Sequence, residues 1–375
     1  MGINKSRILQ IDIMLHHLRQ LDWILIVSAL LLVGIGLLSL YSSSSGRGDF
    51  SNFQKQAIFA SIGVFLMFSF SFLNYRIFKS DSNLILLLYF LCVLGLIGLF
   101  FFAPEIRGVK SWYKIGPVSF DPAEFSKLVL LFFLAKYFSL RHVELYRIHH
   151  IFISGFYVLL PAALVALQPN MGSALILVFS WLCLLIISGI KLKLFLAVCF
   201  LGILFSGLGW SFLLHDYQRE RIVGFIIPAS DPLGIGWNQN QAKIAIGSGG
   251  IFGQGFGKGS QTQYGFLPEP QNDFIFSAVA EEFGLAGIAA ALLAMIIMFS
   301  RIIKIIVNSD SNFSSLFSAG FLAILAVQVF MNIGMNLGLL PVIGVGLPLI
   351  SYGGSGLIIT FIGLGILQNI RKVYN

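Results

Sequence analysis

The sequence predicts an all-α polytopic membrane protein, and three observations support that prediction. Of the 375 residues, 57% are hydrophobic and 11% are charged, and the mean hydropathy is +0.89. Ten separate stretches are apolar enough to cross a bilayer, since a transmembrane helix needs about 20 apolar residues. Basic residues occur in every second connection between those stretches, as the positive-inside rule requires. The composition excludes an ordinary soluble globular protein.

The ten predicted transmembrane helices follow one another along the whole chain. The first begins after a polar, basic segment and lacks a small-residue cleavage site, which favours a retained anchor over a signal peptide. The fourth is the shortest and carries Lys127 and Lys136. The predicted bounds are 23–42, 54–74, 83–103, 124–140, 151–168, 171–189, 194–214, 273–300, 314–338 and 345–368.

The distribution of Lys and Arg predicts that both termini, residues 1–22 and 369–375, are cytoplasmic. In this orientation fourteen of the 24 basic residues lie on cytoplasmic segments. The net charge of +8 mostly reflects this bias, and no basic run interleaved with aromatic residues indicates a nucleic-acid partner. The fourteen are Lys5, Arg7, Arg19, Arg76, Lys79, Lys136, Arg141, Arg147, Lys191, Lys193, Arg301, Lys304, Arg371 and Lys372.

Residues 215–272, between the seventh and eighth predicted helices, form the large outer loop of a single membrane domain spanning 1–375. A loop of this length in a compact bundle is usually functional. Its stretch NQNQAKIAIG is typical of a short amphipathic helix, and residues 247–259 hold seven glycines. Because no strand precedes this run in a βαβ unit, a nucleotide-phosphate loop is disfavoured. We expect a mobile loop that approaches neighbouring backbone closely at the membrane surface.

Asp273 lies where the large outer loop meets the eighth predicted helix. One interpretation is an N-terminal helix cap, because Asp satisfies free backbone N–H groups and suits the helix dipole. The other is a general base at the outer membrane face, partly desolvated and therefore raised in pKa. The residues alone leave both interpretations open.

Three further carboxylates lie inside predicted spans, and one of them is close to a lysine. Glu281 and Glu282 are about 12–13 Å from Asp273 along a helix, and a polar lock between helices is the favoured interpretation for at least one of them. Glu124 and Lys127 are three residues apart and therefore share a helical face. That spacing predicts an intramembrane ion pair, which is more often structural than catalytic.

Basic residues on the predicted outer face form a second candidate site. Each alone is typical of a lipid headgroup anchor, whereas together they would suit an anionic headgroup, for which arginine is well shaped. These residues are Lys55, Arg107, Lys110, Lys114, Arg219, Arg221, Lys243 and Lys258.

Several motifs together resemble the signatures of the SEDS family (shape, elongation, division and sporulation proteins). They occur in that family's order from one end of the chain to the other, and they resemble its elongation branch more than its division branch. The motifs are FDPAEFSKL, QPNMGSALIL, YQRERI, DPLGIGWNQNQAKIAIGSGG, GQGFGKGSQ, FLPEPQNDFIFSAVAEEFG and NIGMNLGLLPVIGVGLPLISYGGSG.

The resemblance implies a ten-helix fold with both termini cytoplasmic, in the bacterial inner membrane. It implies a peptidoglycan glycosyltransferase that polymerises lipid II on the outer face of that membrane. The implied partners are a class B penicillin-binding protein, which supplies transpeptidase activity, and an elongation complex that includes MreC and MreD. No tightly bound cofactor is implied, although a divalent cation, Mg²⁺ or Mn²⁺, is compatible with the pyrophosphate leaving group.

The family's residues map onto this sequence position by position. Its essential carboxylate matches Asp273, the expected general base, and its Glu and Lys of the fourth span match Glu124 and Lys127. The expected substrate-binding residues are Arg219, Arg221, Lys243, Lys110, Lys55 and Gln241. Loop movement in the glycine-rich run would admit substrate and pass the growing chain.

Four departures from the family's pattern suggest a divergent branch. Gln271 and Asn272 replace the usual His-Thr, and Asn170 stands where an Asp is usual. Ser111 replaces an Arg, with Lys110 beside it, and Gly346 often corresponds to Pro.

Two other functions compete with polymerisation. A lipid II flippase would need polar residues distributed through the bilayer depth, whereas most carboxylates here gather towards the outer end of the helices. A scaffold that only activates its penicillin-binding partner would not need Asp273 for chemistry. The sequence therefore favours a polymerase and leaves both alternatives to experiment.

Overall fold

The computed structural model describes residues 16–105, 109–116, 118–141, 148–212, 216–226 and 235–372. Of the residues singled out above, Lys5, Arg7, Arg107 and Arg147 lie outside these ranges, as do parts of the termini and of the 215–272 loop. The elements are α1 (Trp23–Arg47), α2 (Ser51–Phe72), α3 (Arg76–Ser80), α4 (Ser82–Phe102), β1 (Tyr113–Ile115), β2 (Val118–Phe120), α5 (Pro122–Arg141), α6 (Ile148–Leu167), α7 (Met171–Ile187), α8 (Leu192–Phe212), α9 (Asp216–Ile226), α10 (Ile235–Gly249), α11 (Ser260–Gln263), α12 (Ile275–Val307), α13 (Asn312–Leu337) and α14 (Gly354–Lys372).

The prediction of an all-α polytopic membrane protein is confirmed. Seven helices in the described ranges are long and apolar enough to span a membrane, and α7 and α8 contain shorter apolar helices. The tenth long helix, α5, carries four charged residues, two of which form the predicted ion pair. These ten helices correspond one to one with the ten predicted spans.

Large apolar side chains cover the outside of the bundle. Phe65 in α2 and Ile203 in α8 are 69% and 71% exposed, which suits a surface in contact with lipid. Inside, Phe132 of α5 stacks between Phe78 and Phe317, with ring centroids 4.4 and 4.7 Å apart. The hydrophobic pattern therefore specifies both the lipid-facing surface and a packed aromatic core.

The long helices alternate in direction, so their ends form two faces of the bundle. We call the face that carries the start of α1 and the last turn of α14 the termini end. There the Asp22 backbone N–H donates to Gln368 Oε1 at 2.7 Å, and the Asp22 carboxylate caps α1 by accepting from the Leu25 N–H. The opposite face, which carries α9, α10 and α11, is the loop end.

A buried ion pair fastens three helices together at the termini end. Asp22 is 2% exposed, and Arg301 of α12 binds its carboxylate through Nε at 2.8 Å and Nη2 at 2.7 Å. Arg371 of α14 lies 3.7 Å from the same carboxylate. This contact is not predicted from the sequence, in which Arg301 and Arg371 indicate only the membrane topology.

Replacing Arg301 by Ala is expected to lower the thermal unfolding midpoint of the detergent-purified protein. Removing one partner of a buried ion pair typically lowers the free energy of unfolding by about 3–5 kcal/mol. Arg371 would still neutralise part of the Asp22 charge and so reduce this loss. The matched control is Lys304→Ala, one turn along the same helix at an exposed position. Equal midpoints for the two variants would refute a stabilising role for the pair.

The prediction that the last span begins near residue 345 is wrong. α14 begins at Gly354, and residues 338–353 form an irregular but largely buried segment. Helix is broken there because Gly344 and Leu349 have φ values of 74° and 66°, a left-handed conformation outside the helical region. Pro348, which has no backbone N–H, also opposes a helix.

The large loop of residues 215–272 contains three helices in its described part, α9, α10 and α11. The predicted short helix in NQNQAKIAIG is present as part of the longer helix α10, Ile235–Gly249. The predicted close approach is also present, since Gly253 faces a break in α12 at Gly284, where φ is 66° and ψ is −162°. Backbone hydrogen bonds join the loop to this break, including Gln254 N–H to the Glu281 carbonyl at 2.8 Å.

Candidate active site

Asp273 lies in a turn at the loop end, two residues before α12 begins. Phe274 occupies the N-cap position of α12, and no side chain caps this helix. The capping interpretation of Asp273 is therefore not realised. Its side chain is partly exposed.

Two buried asparagines of α13 hold the backbone of Asp273. The Asp273 carbonyl accepts from Asn332 Nδ2 at 3.0 Å and from Asn336 Nδ2 at 2.9 Å. Asn336 Oδ1 accepts in turn from the Ser277 hydroxyl at 2.6 Å. Both asparagines are 0% exposed, so their amides fix the Asp273 turn against a membrane-spanning helix. Neither asparagine is among the predicted site residues, although two polar residues four positions apart in an apolar helix were an available signal.

The residue pair before Asp273, where the sequence departs from the family pattern, is tied to α1 and α2. Gln271 is buried, donates to the Ser43 hydroxyl at 2.9 Å and accepts from Asn52 at 2.7 Å. Asn272 donates to Glu269 Oε2 at 2.8 Å. These contacts give the two departures a structural role in holding the turn.

The electrostatic surroundings of Asp273 suit a base that works near neutral pH. The pKa of Asp273 is raised to about 6, mainly by desolvation and further by repulsion from Glu269, while attraction to Arg221 opposes the rise. Asp273 Oδ2 and Arg221 Nη1 lie 3.8 and 4.0 Å from the position that a Cβ on Gly344 would occupy. The carboxylate and the guanidinium therefore face the same small space, which stays open because residue 344 has no side chain.

Of the predicted substrate-binding residues, the structure brings Arg221 to Asp273. Arg219, on the same helix α9, donates through Nε to the Trp210 carbonyl at 3.0 Å. Lys243 of α10 is exposed and lies against Gly338 at the end of α13. The remaining three are at the loop end without a described contact to Asp273: Lys55 exposed on α2, and Lys110 and Gln241 both half-buried.

Glu281 and Glu282 are 0% and 2% exposed and bind structural partners. Glu281 accepts from the backbone N–H groups of Gln261 and Thr262 at 2.6 and 3.0 Å, and from the Thr262 hydroxyl at 2.7 Å. Glu282 accepts from the Ser42 hydroxyl at 2.5 Å. These contacts support the interpretation of both as polar locks, joining α12 to α11 and to α1.

Glu124 and Lys127 form the predicted ion pair on α5, at 2.5 Å, with side chains 19% and 4% exposed. The pair lies against the start of α14, where Glu124 Oε2 is 3.2 Å from the position of a Cβ on Gly356. The Ser355 hydroxyl also lies within hydrogen-bond distance of the Asp121 backbone N–H, 3.0 Å away. The pair thus stands where α5 meets α14.

Two other departures from the family pattern also have local partners. Asn170 caps α7 by accepting from the Ser173 N–H, a role that Asp fills equally well. Ser111 is buried and donates to the Gln168 carbonyl at 3.1 Å.

The described residues contain no group of three or more His, Cys, Asp or Glu side chains that could hold a metal ion. Glu269, whose negative charge adds to the raised pKa of Asp273, is a second carboxylate near this site. One carboxylate together with substrate phosphates is enough to hold an ion such as Mg²⁺.

The fold and this site define a multi-pass membrane protein with an aspartate–arginine site at one end of its helical bundle. The family model FtsW/RodA/SpoVE, described as cell cycle proteins, matches residues 22–375. The chain belongs to this family, the one whose signatures its motifs resemble.

Relatives and solved structures agree with this membership. Peptidoglycan glycosyltransferase MrdB of Escherichia coli (strain K12) is 39% identical over 284 residues, 76% of each chain. Stage V sporulation protein E of Bacillus subtilis (strain 168) is 34% identical over 363 residues, 94% of this chain and 97% of that protein.

One similar solved structure is reported under the description "Structural coordination of polymerization and crosslinking by a peptidoglycan synthase complex". Its TM-score to this chain is 0.81 at 30% sequence identity, and the match covers 94% of this chain and 98% of the other. The crystal structure of Thermus thermophilus RodA has a TM-score of 0.70 and 28% identity, covering 94% and 97%.

Proposed function

We propose that this protein is a peptidoglycan glycosyltransferase that polymerises lipid II into glycan strands during cell elongation. The proposal rests above all on Asp273, a carboxylate of raised pKa that shares one open space with Arg221. Relatives named as peptidoglycan glycosyltransferases support the reaction class.

In the proposed reaction a sugar hydroxyl of one substrate attacks the anomeric carbon of another. The new glycosidic bond forms as the bond from that carbon to the polyprenyl pyrophosphate breaks, and the pyrophosphate leaves with the electron pair. Asp273 accepts the hydroxyl proton. One base and inversion at the anomeric carbon suffice, so no second carboxylate has to form a covalent intermediate.

Arg221 stabilises the negative charge that develops on the departing pyrophosphate. Guanidinium groups bind phosphate oxygens through paired hydrogen bonds, and Arg221 faces the same space as the base. Arg219, Lys243, Lys110 and Lys55, together with Gln241, extend this binding surface along the loop end. A divalent cation would be held by Glu269 with the substrate phosphates, and when bound it would neutralise further charge.

The loop end would face outwards, with both termini cytoplasmic, in the bacterial inner membrane. Two arguments support this orientation, namely the basic residues at the termini end and the position of lipid II headgroups on the outer face. A class B penicillin-binding protein is the proposed partner, supported by the similarity to a complex that coordinates polymerization and crosslinking. MreC and MreD would complete the elongation complex.

The test of this function separates polymerisation from transport and scaffolding. Purified protein in vesicles, with and without the class B partner, receives labelled lipid II. Glycan chains are scored on gels, and lipid II translocation is scored by accessibility of the label. Polymer formed by the chain supports the proposal, whereas translocation without polymer would favour a flippase, and neither activity would favour a scaffold.

Replacing Asn336 by Ala is expected to lower kcat for polymerisation about 10–100-fold with little change in KM, since small misplacements of a catalytic group have effects of this order. Ala lacks the amide that binds the Asp273 carbonyl, so the base would be misplaced. The substrate-binding groups would remain intact. The matched control is Asn83→Ala, at an exposed position at the start of α4. An unchanged kcat would show that the asparagine does not position the base.

A further inference from the structure

The glycine-rich loop at the loop end presents an apolar tip. Ile251 and Phe252 are 64% and 81% exposed, and Phe256 is 46% exposed. No charged residue occurs from Gly249 to Gly257. Such an uncharged, exposed apolar tip is costly in water and marks a contact surface.

The contact of this loop with α12 gives its depth in the membrane. Leu285 N–H donates to the Gly250 carbonyl at 2.9 Å, and Ala286 N–H donates to the Ile251 carbonyl at 3.0 Å. From Leu285, which is 59% exposed, to Ile303, which is 49% exposed, the large exposed side chains of α12 are apolar, and the exposed Lys304 ends this stretch. That length is about 27 Å at the helical rise, close to the ~30 Å hydrocarbon thickness. The loop tip is therefore level with the edge of the hydrocarbon.

An independent contact with α1 gives the same depth. The Phe256 ring stacks on Tyr41, with centroids 6.1 Å apart. On α1, Trp23 and Tyr41 are both more than 40% exposed and stand at opposite ends of one apolar face. Their separation is about 27 Å, and Trp and Tyr favour the two membrane–water interfaces. Phe256 thus lies at the level of the interface that Tyr41 marks.

We propose that residues 251–257 insert into the lipid bilayer at the boundary between acyl chains and headgroups. The occupant of this surface is lipid, because both neighbouring helices expose apolar faces that lead directly up to it. Lys258, exposed at the polar side of the tip, suits the phosphate level. The inserted loop holds the break in α12 at the bilayer surface through its backbone hydrogen bonds.

A depth-sensitive fluorophore tests the insertion. Phe252→Cys is made in a chain whose Cys92, Cys183 and Cys199 are replaced by Ala, labelled with NBD and reconstituted full-length in phosphatidylcholine–phosphatidylglycerol vesicles. Quenching is compared between shallow nitroxide lipids, deep nitroxide lipids and aqueous iodide. Ile251→Cys serves as a second reporter, and each labelled variant must keep the thermal midpoint of the unlabelled chain.

Two control positions calibrate the result. A label at Phe65→Cys, exposed within α2, reports the bilayer interior, and a label at Asn240→Cys, exposed on α10, reports water. Insertion predicts that shallow nitroxide lipids remove most of the fluorescence at position 252 and that iodide removes little. Strong quenching by iodide without quenching by lipid would overturn the proposal, as would protection from both, which would indicate coverage by a second copy of the chain.

Discussion

Asp273→Asn is expected to lower kcat for lipid II polymerisation about 10²–10⁴-fold, the usual contribution of a general base. The amide keeps nearly the same shape, so the turn held by Asn332 and Asn336 should persist, but it cannot accept the hydroxyl proton. Lipid II binding should therefore change little. The measurement is glycan formation by the purified variant at saturating substrate, together with its thermal midpoint.

The matched control is Asp49→Asn, the same chemical change at an exposed carboxylate of the loop end. It should retain wild-type turnover, since Asp49 lies between α1 and α2 and accepts from the Ser51 N–H. Comparable polymer from wild type and Asp273→Asn would refute the assignment of the base. A search among the other carboxylates would then begin with Glu269.

Gly284→Ala is expected to be among the most destabilising single substitutions in the chain. Its φ of 66° and ψ of −162° fall in a region that only glycine adopts readily, which costs another residue about 1–3 kcal/mol. A Cβ would also clash with the Gly253 backbone and lie 2.5 Å from the Ile251 carbonyl oxygen. We expect a lower thermal midpoint or failure to accumulate in the membrane.

Gly247→Ala provides the control for this substitution. Gly247 lies inside α10, and nothing is within 4 Å of the position of its Cβ. Ala is favoured over Gly by about 1 kcal/mol in a helix, so the midpoint should stay the same or rise. A Gly284→Ala protein as stable as this control would mean that the break in α12 does not depend on glycine.

The ten spans were predictable because bilayer crossing imposes long apolar stretches, which are a local property of the sequence. Even α5, with four charged residues, was recognised from its remaining apolar residues. The start of α14 was not, because hydropathy does not distinguish a buried irregular segment from a helix. Gly344, Pro348 and Leu349 decide that boundary through backbone conformation.

Within the candidate site, Asp273 and Arg221 could be proposed from residue type and resemblance. Their support could not, since Asn332, Asn336 and Gln271 act through contacts between segments distant in sequence. Glu281 and Glu282 show the same limit. Their carboxylates predicted a polar lock for at least one of them, but the partners Thr262 and Ser42 are visible only in the structure.

The pH dependence of kcat/KM for polymerisation, in wild type and Glu269→Gln, tests the central claim most directly. Asp273 must be ionised to accept a proton, and its pKa is raised to about 6. Activity should therefore decline as the pH falls through about 6. Glu269→Gln removes the neighbouring negative charge, so the pH at which activity declines should move lower, whatever the rate at higher pH. A flat profile between pH 5 and 8, or a limb that does not move in Glu269→Gln, would contradict the assignment of Asp273 as the base.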